Sequence, residues 1–143
     1  MSQKPKLPAW LKPANKVVMF LNKRGVIFAT MCILTTTGRK SGQPVSNPVS
    51  TLTIGGHRYI CSVGDTDWVQ NARQNPGATL RRGSKSWDVQ LLEVPVEERA
   101  PILREFPSQV PGGVPFFKKT LGISGTSESF VAAGDRCRVF KIA

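Results

Sequence analysis

The residues best equipped for chemistry lie in one short stretch, Thr35-Thr36-Thr37-Gly38-Arg39-Lys40-Ser41-Gly42-Gln43-Pro44. It sets two adjacent cations and several hydroxyls around a pair of glycines, where the apolar run Val26 to Leu34 ends. Glycine lets a backbone turn tightly and approach a ligand closely. Exposed N–H groups, hydroxyls and cations together are what hold a phosphate or carboxylate. A nucleoside triphosphatase loop is excluded, because that motif needs GxxxxGK[ST] and a following helix. Here Gln43-Pro44 and a strand pattern follow. A solvated polar turn is the competing reading of the same string.

Other reactive constellations are missing. His57 is the single histidine and sits beside Gly55-Gly56 in a turn pattern, with no GxSxG elbow to partner it. Cys32, Cys61 and Cys137 are widely spaced in apolar surroundings and form no CxxC pair. They read as buried, reduced thiols, so no metal site is expected. The acids are scattered rather than paired. No catalytic side chain is therefore assigned, and any redox chemistry must come from a bound cofactor.

Charge narrows the ligand. The chain of 143 residues has a net charge of +11, and its first acid is Asp65. Nine Lys/Arg precede Asp65 unopposed, whereas the remaining 79 residues carry eleven against nine acids. One half should attract anions, whether a phosphorylated cofactor, an anionic lipid surface or a nucleic acid. Nucleic acid is disfavoured because Tyr59, Trp68 and Trp87 fit no stacking motif. No secretory pattern and no stretch of about 20 apolar residues is seen, so the expectation is a cytoplasmic protein, at most peripheral on the inner membrane face.

The elements that must carry the loop can be read from periodicity. Residues 1–24 read as a basic arm and an amphipathic helix over 14–22, capable of lying on an anionic membrane. Residues 25–143 read as one barrel domain. Strands are expected at Val26 to Thr36, Pro48 to Ile54 and Arg58 to Val63, with Gly55-Gly56 as the hairpin turn. A short helix follows an N-cap in Asp65-Thr66-Asp67 and stops at Asn75-Pro76-Gly77. Ala78 to Arg82 and Ser86 to Val94 form a further pair. Pro95 to Phe106 reads as one helix with its acids in the first turn. Phe130 to Ala133 and Arg136 to Ile142 read as a closing hairpin. Six or seven short strands with few helices suggest a small closed or split barrel.

Taken together, Leu34 to Pro44, Asn47-Pro48-Val49, Gly55-Gly56, Tyr59, Ser62-Val63-Gly64, Trp68 to Asn71 and Asn75-Pro76 resemble the deazaflavin-dependent nitroreductase family. That resemblance implies a mainly β (α+β) fold: a single-domain split β-barrel of six to seven mostly antiparallel strands with an N-terminal helix and short flanking helices. It implies binding of coenzyme F420, with FMN as the alternative, and hydride transfer to a small-molecule acceptor. Arg39, Lys40, Ser41 and Gly42 would hold the phosphate. Asn47, Pro48, Val49, Ser62, Val63, Gly64 and Asp65 would line the deazaflavin, and Trp68, Val69 and Asn71 would complete the pocket. Val45-Ser46 stands where many members carry a basic residue, and Gly64-Asp65-Thr66-Asp67 replaces a Gly-Gly and Pro before the Trp. With Tyr59 the sole tyrosine, an apolar quinone or unsaturated lipid is expected to suit Phe116, Phe117 and the basic helix better than a nitroimidazole. A non-catalytic binder of F420 or lipid is the alternative, and monomer or dimer is left open.

Overall fold

The structure is a computed structural model and describes residues 31–143; the expected arm and helix of residues 1–24 lie outside them. Six antiparallel strands are β1 (Met31–Thr37), β2 (Pro44–Ile54), β3 (His57–Ser62), β4 (Gly77–Arg82), β5 (Lys85–Glu93) and β6 (Arg138–Ile142). They close into a barrel in the order β1-β2-β3-β6-β5-β4. Among the described residues four helices join them: α1 (Asp67–Gln74), α2 (Ala100–Gln109), α3 (Val114–Leu121) and α4 (Ser127–Ala132). The β2–β3 turn is the Gly55-Gly56 pair, at φ 57° and 81°, the double left-handed backbone that a tight hairpin requires.

Alternation along the strands divides the apolar residues between two cores. Leu34, Val49, Ile60, Leu80, Val89, Leu91, Phe140 and Ile142 fill the barrel. Trp68, Val69 and Ala72 belong to the same cluster, so α1 stoppers the barrel, with the Trp68 and Phe140 rings 5.4 Å apart. On the outer wall, Leu52, Val63 and Val139 pack with Ile102, Leu103, Phe106, Phe117 and Phe130 of α2, α3 and α4. Strand β6 is thus buried on both faces, with Val139 at 0% and Phe140 at 1% exposure.

Register brings the functional candidates to one end. Thr37 opposes Pro44, Thr36 opposes Ala78 and Ser62 opposes Arg138. The Gly38–Gln43 loop, the exit of β3, the start of β4 and the start of β6 therefore share one rim with α1. The Gly55-Gly56 and Gly83-Ser84 turns lie at the other.

Two expectations fail. Phe130 to Ala133 is not a strand: Ser127–Ala132 is helical, and only Arg138–Ile142 extends. A short apolar run does not distinguish the two states. Here the Thr126 hydroxyl accepts the Ser129 N–H at 3.2 Å as an N-cap, and the Phe130 ring stacks against Phe106 and Phe117 at 5.0 and 5.4 Å. The expected single helix from Pro95 is also broken, into a 3-10 turn over Val96–Glu98 and then α2. Arg99 sits at the break and turns inward to donate to the carbonyls of Val94, Gly134 and Cys137 at 2.9, 3.0 and 2.8 Å. Replacing Phe130 with Ala should lower the free energy of unfolding by about 3–5 kcal/mol in urea titrations, since a fully buried ring leaves a cavity.

Candidate functional site

The loop between β1 and β2 is closed by its own hydrogen bonds. The Gly38 N–H donates to the Gln43 carbonyl at 2.8 Å and the Gly42 N–H to the Gly38 carbonyl at 2.9 Å. The Gln43 N–H donates to Ser41 Oγ at 3.2 Å. A Cβ on residue 38 would stand 2.5 Å from Ser41 Oγ and displace it, and Gly42 has φ 69°, a left-handed backbone that favours glycine. Lys40, Ser41 and Gly42 are exposed at the tip. Among the described residues, the N–H groups of Lys40 and Ser41 have no hydrogen-bond acceptor.

Arg39 behaves differently. Its N–H and its Nη1 both donate to Asn71 Oδ1, at 3.1 and 2.9 Å. Nη1 also reaches the Asp67 carbonyl, and Nη2 the Asp67 carboxylate, each at 3.4 Å. Asn71 is 3% exposed and donates through Nδ2 to Thr36 Oγ1 at 3.4 Å.

Of the remaining expected residues, Ser62 to Asp65 and those of α1 lie at the same rim, whereas Asn47 to Val49 lie further along β2, and they do not all face outward. Asn47, Pro48 and Val49 oppose Leu34, Ile33 and Cys32, so Asn47 and Val49 point inward and Pro48 outward. Val49 and Val69 are barrel core and Val63 is helix-side core. Ser62 Oγ donates to the Gly64 carbonyl at 2.9 Å and lies 3.2 Å from Thr66 Oγ1, shaping a turn in which Gly64 takes φ 137°. Thr66 is the N-cap of α1. Asp65 is 1% exposed, and its Oδ1 pairs with Arg73 Nη1 at 2.9 Å and Arg138 Nε at 2.8 Å. Its carboxylate is committed to the protein, and its carbonyl accepts from Gln70 Nε2 at 2.9 Å. Phe117, expected to meet the acceptor, is likewise held inside, 4.6 Å from the Phe106 ring.

Two features escaped the sequence. An open cavity of about 410 Å³ lies beside the loop on β1, β4 and β5, lined by Thr35, Thr37, Gly77, Asp88 and Gln90; of the expected residues only Gly42 borders it. The Thr35-Thr36-Thr37 run was its only local signal. The second feature is the ion network around Asp65. Arg73 grips Glu93 with a fork, Nε to Oε1 at 2.8 Å and Nη2 to Oε2 at 2.7 Å, and Arg99 Nη2 approaches Glu93 Oε2 at 3.5 Å. Nothing in the spacing of these residues announces it. The thiols add no nucleophile, because burial pushes Cys61 upward and Cys137 up to about 11. Among the described residues no cluster of three His, Cys, Asp or Glu exists, and no helix is long and apolar enough to cross a membrane.

Residues 16–116 match the F420H(2)-dependent quinone reductase family. The chain belongs to that family. It is accordingly an F420-dependent oxidoreductase, and the F420H(2)-dependent quinone reductase match spans the loop, α1 and strands β1 to β5 but not β6. Solved structures agree on the fold. One, described as an F420-H2 dependent reductase (FDR-A), is 22% identical with a TM-score of 0.54, over 80% of this chain and 94% of that one. Another, described as a domain-swapped dimer, is 19% identical with a TM-score of 0.60, over 94% and 97%. A putative pyridoxamine 5′-phosphate oxidase from Listeria innocua is 16% identical with a TM-score of 0.51, over 90% of each chain.

The Arg73 fork holds the Glu93 carboxyl below its ordinary value of 4.5. A group whose pKa is depressed by folding stabilises above its unfolded value and loses that contribution as pH falls through the folded one. The stability difference between the native chain and a Glu93→Gln variant should therefore be constant above about pH 5.5 and shrink below it. Urea midpoints at a series of pH values would measure this.

Proposed function

We propose that the rim built by the Gly38–Gln43 loop, the Ser62–Asp65 turn and α1 is the F420 site. The observation that carries this reading is the pair of N–H groups at Lys40 and Ser41 that have no acceptor among the described residues, beside the exposed Lys40 ammonium. That donor set fits a phosphate, which takes backbone N–H groups and a point cation together. In this reading Arg39, Lys40, Ser41 and Gly42 serve the phosphate. Asn47, Pro48, Gly64 and Asp65 serve the ring, over a floor held rigid by Val49, Ser62, Val63, Trp68, Val69 and Asn71.

When bound, reduced F420 supplies a hydride from C5 of its deazaflavin. The protein's own work is to orient the ring, keep water from it and meet charge that develops on the acceptor. No side chain is asked to act as nucleophile. The acceptor in this reading is an apolar, electron-poor quinone, with an unsaturated lipid as the alternative. The lopsided positive charge of the first 64 residues supports an anionic membrane surface as the place where such an acceptor is met.

Fluorescence titration is expected to show oxidised F420 binding more tightly than FMN, with oxidation of reduced F420 by a menadione-like quinone. Lys40→Ala should weaken F420 by about tenfold, the loss of one charge-assisted contact. Tighter binding of FMN, or unchanged affinity in Lys40→Ala, would overturn the assignment.

A further inference from the structure

The loop carries two adjacent cations, and the hydrogen bonds give them different work. Lys40 projects from the tip, whereas Arg39 is folded back against α1. Both its N–H and Nη1 converge on one atom, Asn71 Oδ1. Its other guanidinium nitrogen lies 3.4 Å from the Asp67 carboxylate. Asn71 is nearly inaccessible and is itself tied to Thr36 at the end of β1. One amide side chain thus bridges the strand before the loop, the first residue after Gly38 and the helix that stoppers the barrel.

We infer that Arg39 and Asn71 are positioning residues, a strut that fixes the loop, and that Lys40 and Ser41 make the direct contacts with the anion. This rests on the reading of the loop as the F420 phosphate site. Its physical basis is preorganisation. With the Arg39 N–H turned toward Asn71, the next two N–H groups are left without an internal acceptor, so little ordering cost remains when an anion arrives. The Arg39 guanidinium is turned toward the Asp67 carboxylate and the oxygens of Asp67 and Asn71, so its hydrogen bonds are spent on α1.

Two measurements separate the strut from the ligand assignment. Hydrogen exchange at the Arg39 amide, followed by NMR in the protein without ligand, should speed up at least tenfold in Asn71→Leu and stay slow in Asn71→Asp, which keeps an acceptor oxygen. Unchanged exchange in Asn71→Leu would overturn the strut whatever the loop binds. For F420 affinity, Arg39→Ala and Asn71→Leu should each cost about five- to tenfold, and the double variant no more than the larger single loss. Arg39→Ala should keep the salt dependence of the native chain, whereas Lys40→Ala flattens it. If Arg39→Ala flattens it as much, Arg39 touches the anion and the division of labour is wrong. If Lys40→Ala leaves F420 binding unchanged while the exchange result holds, the phosphate assignment fails and the strut stands as a structural device alone.

Discussion

Much of this molecule hangs on one carboxylate. Asp65 is buried between the guanidiniums of Arg73 and Arg138, and removing such a charge from water costs several kcal/mol unless partners surround it. Asp65 leaves β3, Arg73 ends α1 and Arg138 begins β6, so meeting that demand places three elements on one rim. Arg73 then reaches Glu93 at the end of β5, and Arg99 joins Glu93 to the Val94, Gly134 and Cys137 carbonyls. The chain between α4 and β6 has little regular structure of its own, and these guanidiniums are what anchor it.

The rim built in this way separates stability from function. Trp68, Val69 and Ala72 use the inner side of α1 to stopper the barrel, while Asn71 on the same helix reaches across to the loop. A helix held by three core residues is a firm support for one hydrogen-bonding side chain, and sites on such elements are more exact than sites on free loops. The loop itself contributes almost no buried apolar area. Its shape comes from Gly38 and Gly42 and from three internal hydrogen bonds.

The strands were legible because period-two alternation and glycine turns are local signals: Gly55-Gly56 fell where expected. The Phe130 segment was not, since Phe-Val-Ala-Ala suits either state and its fate is decided by the Phe106 and Phe117 rings, which arrive from other helices. The loop, the Ser62 to Asp65 turn and α1 share one rim while Asn47 to Val49 lie further along β2, and the orientation of these residues was beyond the sequence. Val49, Val63 and Val69 read as pocket and are core, because a motif fixes position along the chain and not which face a residue presents. Asp65 read as ring contact or cap; its partner Arg138 lies 73 residues away, far outside any local pattern.

The strand order has a consequence for how the protein comes into being. Strand β6 lies between β3 and β5, yet it is the last of the six to leave the ribosome. Until it emerges, β3 and β5 present unpaired edges, and both hydrophobic cores lack the strand they share. Such edges recruit other chains, so a chain that lacks β6 exposes two pairing edges that the complete barrel hides. Barrel closure, both cores and the Asp65–Arg138 pair are then completed in one late step.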